Sequence, residues 1–239
     1  MKNFNFFLFW TYIATIIVLI IVILVIILAW RAYFPRRWLN LLVFSFTAII
    51  GGLIILFISE LIAPYNSNFY LNPFLYIIYF GLSGCAMFSI YLLVVDIHFK
   101  HIEKLMLLGG IIFIALISFL VISLVLFIYV GLTNYPWVAF LAFECVYVLG
   151  ILAYILFAIG SFSHVSSDRL DLSVRRMLGL TGISSLGIAF GLVIIALAVL
   201  YADFSIALPP SVSIFWLLWI SFISIIFLLM VRQTILLFK

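Results

Sequence analysis

Long apolar runs alternate with short polar gaps over the whole of this sequence. A helix needs about 20 apolar residues to cross roughly 30 Å of hydrocarbon. Seven runs reach that length: Phe6 to Trp30, Leu39 to Ile62, Pro73 to Ile97, Leu105 to Val130, Pro136 to Gly160, Met177 to Tyr201 and Val212 to Val231. The pattern predicts one domain over residues 1–239, an all-α integral membrane protein built as a seven-transmembrane-helix bundle. The first run is longer than the roughly 7–15 residues of a signal-peptide core and ends at Ala29-Trp30-Arg31 with no small-residue cleavage pattern, so it reads as a true span.

Charge supplies orientation. Ten of the eleven Lys and Arg residues fall in every second gap or the tail: Arg31, Arg36 and Arg37; Lys100 and Lys104; Arg169, Arg175 and Arg176; Arg232 and Lys239. The intervening gaps hold no Lys or Arg. By the positive-inside rule the N-terminus is expected outside and the C-terminus inside. Trp10, Trp137, Trp216 and Trp219 then lie toward outer ends, and Trp30 and Trp38 at inner ends, where indole rings favour the interface. Composition agrees, with 69% hydrophobic and 8% charged residues and a mean hydropathy of +1.52. The net charge of +4 follows from topology, and no nucleic-acid partner is expected.

The gaps limit what the chain can do. The expected outer segments, 63–72, 131–135 and 202–211, are too short to fold alone. The longest inner segment, 161–176, is expected to extend the sixth helix, with Ser167 or Asp168 as cap and Asp171 and Arg175 paired at i,i+4. Arg169, Arg175 and Arg176 there form a candidate docking ledge for a cytoplasmic partner.

Ionisable residues inside spans are the chemical candidates, because each costs about 2.5–3.5 kcal/mol at mid-helix on insertion scales. Glu144 is the deepest acid, eight residues past Pro136 and so roughly 12 Å along the helix. With no cation at similar depth it is expected to be neutral and hydrogen-bonded, or matched by a cationic ligand. Glu60, near the end of the second span, is expected either as an exposed helix end or facing the same outer cavity, with Tyr147 one turn beyond Glu144. Asp96 is expected to pair with Lys100 at i,i+4. Asp96, His98, His101 and His164 admit a metal only by a chance-level motif, so no metal and no cofactor is expected. Cys85 and Cys145, both inside spans, read as packing residues.

Glycines mark close approach. Gly187-x-x-x-Gly191 places the sixth span inside the bundle or at a dimer contact, Gly51-Gly52 marks a contact of the second span, and the first span suits the lipid-facing periphery. Val212 to Val231 has no lysine for a retinal Schiff base, no histidine lies deep enough for haem, and no His-Glu-x-x-His or protease motif occurs, so an enzyme is not expected. Transport would call for inverted repeats or Gly/Pro-broken spans in corresponding halves, and neither stands out.

The layout resembles the seven-helix membrane sensor regions that precede histidine kinases. An outside N-terminus, a basic first inner loop followed by Trp38, Arg175-Arg176 before the sixth span and Pro209-Pro210 before the seventh carry that resemblance. It implies a membrane sensor whose output is carried by a separate chain, since no effector follows Lys239. The expectation is a stand-alone receptor-like protein of the cell membrane that binds a small or lipophilic ligand in an outer-half cavity. Its expected partners are the lipid bilayer, a cytoplasmic signalling protein or other membrane subunits, and a second copy of itself as a homodimer; the alternative is a non-catalytic integral subunit of a larger membrane complex, or a small transporter.

Overall fold

The structure, a computed structural model, describes residues 6–30, 35–62, 71–129, 136–165, 171–201 and 210–237. These residues form seven helices: α1 (Phe6–Trp30), α2 (Arg36–Ile62), α3 (Leu71–His98), α4 (Glu103–Tyr129), α5 (Pro136–Val165), α6 (Leu172–Tyr201) and α7 (Pro210–Leu237). Six are long and apolar enough to cross a membrane, and the described part of α7 adds a shorter apolar stretch, Leu217–Arg232. This is compatible with a multi-pass membrane protein in contact with lipid.

Several helices outrun the apolar runs that predict them. α2 takes in Arg36 and Arg37, α4 begins at Glu103, and α6 begins at Leu172 and so carries Arg175 and Arg176 in its first turns. Intrahelical hydrogen bonding continues wherever the backbone has partners, whereas apolar composition tracks only the hydrocarbon layer. The start of α6 refines the expected cap: the Arg175 N–H donates to the Asp171 carbonyl at 3.0 Å, which puts Asp171 at the boundary. Ser167 and Asp168 lie outside the described residues. A four-residue turn joins α3 to α4, closed by the Phe99 N–H to the Val95 carbonyl at 2.8 Å and the Ile102 N–H to the Phe99 carbonyl at 2.8 Å.

The helices pack in sequence order around a ring that α1 and α7 close, while α3 also packs against α5 through the middle. That extra contact leaves α4 outside: 11% of its apolar window is buried, against 61% for α5. The outermost helix is thus α4 rather than α1. α1 buries one seam, Tyr12, Thr15, Leu19, Val22 and Ile26, at alternating spacings of three and four. That spacing is the knobs-into-holes period of a helix seated on its neighbours, and the Thr15 hydroxyl reaches the Leu217 carbonyl of α7 at 3.4 Å.

Close packing at glycine carries much of the bundle. A Cβ on Gly84 of α3 would collide with Leu116 of α4, and one on Gly109 of α4 would collide with the Tyr91 ring of α3. Gly52 of α2 faces Tyr79 of α3, 3.2 Å from where its Cβ would lie, and Gly51 faces Leu82 at 3.4 Å. A Cβ on Gly191 of α6 would collide with the Trp219 indole of α7, whereas one on Gly187 would meet nothing within 4 Å. Most buried Ser and Thr hydroxyls bond back to the carbonyl four residues earlier, as at Thr15, Ser45, Ser89, Thr181, Ser185 and Ser224. They cross the apolar interior without unpaired donors.

Adjacent glycines of α4 give a paired test. The Tyr91 hydroxyl is anchored to the Leu105 carbonyl at 2.6 Å, so its ring cannot leave Gly109 without breaking that bond. Gly109→Ala is expected to destabilise by about 1–3 kcal/mol through overpacking. Gly110→Ala, with nothing within 4 Å of its Cβ position, should be neutral or stabilising by up to about 1 kcal/mol from helix propensity. Thermal melting of both variants in the same detergent checks the difference.

Candidate functional site

The central part of the bundle holds a cavity of about 80 Å³. α2 contributes Phe46, Ile49 and Leu53; α3 Tyr79, Phe80, Ser83, Met87 and Ile90; α5 Val146, Tyr147, Gly150 and Tyr154; α6 Leu192; α7 Ile220, Ile223, Ser224 and Phe227. On α5, Tyr147, Gly150 and Tyr154 fall at i, i+3 and i+7, one helical stripe turned to the interior. Gly150 keeps this wall shallow, its Cβ position lying 3.3 Å from a Leu192 methyl and 3.4 Å from the Met87 sulfur. The Ser224 hydroxyl is taken up by the Ile220 carbonyl at 2.7 Å, so the lining is aromatic and aliphatic with phenol groups from Tyr79, Tyr147 and Tyr154.

Size narrows what fits. The volume corresponds to the liquid share of two or three waters and is smaller than the roughly 150 Å³ cavity that accepts benzene. A short alkyl segment fits within it. Such apolar chambers between helices, with a few polar groups, are the usual form of small-molecule sites.

Of the three residues expected to bind a ligand, Tyr147 lines this cavity and Glu144 does not. Glu144 sits one turn from Tyr147 on α5, within electrostatic reach of it, and Tyr147 is within reach of Tyr79 in turn. The Glu144 Oε1 atom is buried with no hydrogen-bond partner among the described residues. An unsatisfied buried polar atom costs about 1–3 kcal/mol, more when charged. Glu60 falls on α2, with its side chain outside the described residues.

A second cluster ties helix ends together where α2 begins and α3 and α5 end. The Trp38 Nε1–H donates to Asp96 Oδ2 at 2.6 Å, and the Arg37 guanidinium lies 3.7 Å from Asp96 Oδ1. Asp96 therefore turns across to α2, not along its own helix to Lys100. The cross-helix pair wins because an indole N–H is an obligate donor that burial would otherwise leave unmet, whereas Lys100 is exposed. His98 stands edge-on to Phe157 at 5.1 Å and 85° and 5.8 Å from His164, over Gly160, where a Cβ would collide with it. The histidine that joins His98 is thus His164, distant in sequence, while His101 is exposed in the α3–α4 turn. Among the described residues no three metal-ligating side chains gather.

Aromatic rings run from the cavity to this cluster. Tyr154 meets Phe227 edge-on at 5.8 Å, Phe227 lies 6.2 Å from Phe157, and Phe157 touches His98. Tyr154 and Phe227 line the cavity, so neighbouring rings run from it to the arginine-bearing end. Of the residues expected to dock a partner, Arg176 is exposed and Arg175 half-buried at the start of α6, and Arg169 lies outside the described residues. Sequence reasoning passed over Tyr79, Tyr154 and Phe227; the Tyr147-Gly150-Tyr154 spacing was the signal available for one of them.

No family model, no curated protein and no solved structure matches the chain.

The Asp96 clamp predicts an order of destabilisation. Its carboxylate side chain is 9% exposed and the Arg37 side chain 59%. Asp96→Ala, which leaves the Trp38 N–H without an acceptor, should cost about 1–3 kcal/mol. Arg37→Gln, at an exposed charge, should cost no more than about 1 kcal/mol. Melting curves of the two variants in one detergent check the order, and an equal loss would mean that the carboxylate bond to Trp38 contributes nothing beyond the ion pair.

Proposed function

We propose that this is a seven-span protein of the cell membrane, N-terminus outside, which binds a lipophilic small molecule in its central cavity and signals to a cytoplasmic partner through the arginine-bearing helix ends. The single observation that supports this reading best is the apolar cavity itself, built by five helices at mid-bundle. Two others fit it. The aromatic series Tyr154, Phe227, Phe157 and His98 joins the cavity to the end where Arg37, Arg175 and Arg176 lie, and the Lys and Arg alternation orients that end toward the cytoplasm. A ligand acts only through different affinities for two arrangements of the bundle; the rings around Phe227 are where those arrangements would differ. The apolar lining of the cavity is what favours a binding protein in this reading.

A second reading, an integral subunit of a larger membrane complex, has one observation in its favour. Gly187 and Ser184 are exposed on the outside of α6, where small residues admit a neighbouring helix closely.

Native mass spectrometry of the protein extracted in mild detergent from its own host tests both. The receptor reading predicts a monomer or homodimer that retains a small lipophile, and loss of that lipophile in Gly150→Leu, whose new side chain fills the cavity against movable chain ends of Leu192 and Met87. A stoichiometric partner together with an unaltered lipophile profile in Gly150→Leu would overturn it in favour of the subunit. For orientation, a membrane-impermeant maleimide should label Asn3→Cys on intact cells and leave Lys239→Cys unlabelled, with Cys85 and Cys145 replaced by Ser in both.

A further inference from the structure

The geometry points to a ligand with two parts, a single slender alkyl chain in the cavity and an amine head paired with Glu144. This inference rests on the cavity-binding reading above and adds the class of molecule.

The chain is set by volume and lining. A cavity of about 80 Å³ whose walls are Phe46, Leu53, Phe80, Ile223 and their neighbours takes a few methylene groups without displacement.

The head is set by what surrounds Glu144. Buried hydroxyls elsewhere in the bundle are mostly satisfied by their own helix, through the carbonyl four residues back. In its ionised form Glu144 has no such recourse, since a carboxylate only accepts bonds and the groups four residues back on a helix are carbonyls. Its Oε1 is buried and unpartnered among the described residues. Every described Lys, Arg and His belongs to the opposite end of the bundle: Arg36, Arg37, His98, Lys100, His101, Lys104, His164, Arg175, Arg176 and Arg232. An ammonium brought to Glu144 supplies the donor that no described residue offers, and in a low-dielectric interior it meets the carboxylate without leaving net charge. Tyr147, one turn along α5, and Tyr79 beside it join the acid to the cavity and offer aromatic faces that favour a cation. The carboxyl and the chain pocket thus lie at two ends of one tyrosine-lined stretch, which suits an amphiphile with a single terminal amine.

The test compares three eight-carbon probes, octylamine, octanol and octanoate, titrated by calorimetry into the full chain in lipid nanodiscs, with heats read above those of empty nanodiscs. Octylamine should bind at least about tenfold more tightly than octanol, equivalent to about 1.4 kcal/mol, and octanoate should not bind. Glu144→Gln should abolish the amine's advantage and leave octanol unchanged, and Glu144→Asp should keep part of it. Equal binding of amine and alcohol to the native protein overturns the amine head while leaving the cavity as a lipophile site. An advantage that persists in Glu144→Gln removes Glu144 from the site. Binding of none of the three overturns both the inference and the cavity reading beneath it. Should neither variant fold, the comparison of amine with alcohol on the native protein decides alone.

Discussion

Helices in lipid gain almost nothing from burying apolar side chains against one another, because the tails they leave are as apolar as leucine. What holds such a bundle is close packing and a few polar bonds, and in this chain both converge on α3. Its Gly84 admits Leu116 of α4, its Tyr91 fills the space over Gly109 and bonds the Leu105 carbonyl, and its His98 fills the space over Gly160 of α5. Its Asp96 accepts the Trp38 indole of α2. Three neighbours are thus fixed to one helix by contacts that need the partner at van der Waals distance. The rest of the ring is arranged around it.

That convergence explains the cavity's position. α3 and α5 are brought together near the arginine-bearing end by His98, Phe157 and Gly160. Farther along, Tyr79, Met87, Tyr147 and Tyr154 of α3 and α5 line the space. α2, α6 and α7 surround what remains. The tight contact at one end thus sets where the space between the helices begins.

How far the sequence could be read follows from the same solvent. Helix existence was plain, because a run of about 20 apolar residues has few other fates. Helix faces were not. In water a polar stripe marks the outside and gives away the inside; here Tyr12, Leu19 and Ile26, turned inward, and Ile20, Leu24 and Leu28, turned outward, are chemically alike. The seam of α1 was therefore hidden, and so was the displacement of α4 to the periphery. Gly51 and Gly52 were legible as contact points, but Gly187 and Gly191 look identical in sequence and differ entirely in surroundings. Asp96 offered Lys100 by local spacing, yet bonds a residue 58 positions away. The cavity was the least visible feature, since a lining of Phe, Ile, Leu and Tyr carries no motif.

The cavity also has an energetic meaning. In measured cases an unfilled space costs about 24 cal/mol per Å³, which for this volume amounts to about 2 kcal/mol of lost dispersion contacts. A bundle held by packing has little else with which to offset such a loss. The Ser224 hydroxyl is already bonded to its own helix, and the rest of the wall is mostly rings and alkyl groups, with the hydroxyls of Ser83, Tyr79, Tyr147 and Tyr154 among them. On the reading proposed above, a chain that entered would regain those contacts, so its binding and the bundle's stability would be linked. Phe227 forms part of the cavity wall and meets both Tyr154 and Phe157, which makes it the ring where such a linkage would be felt first.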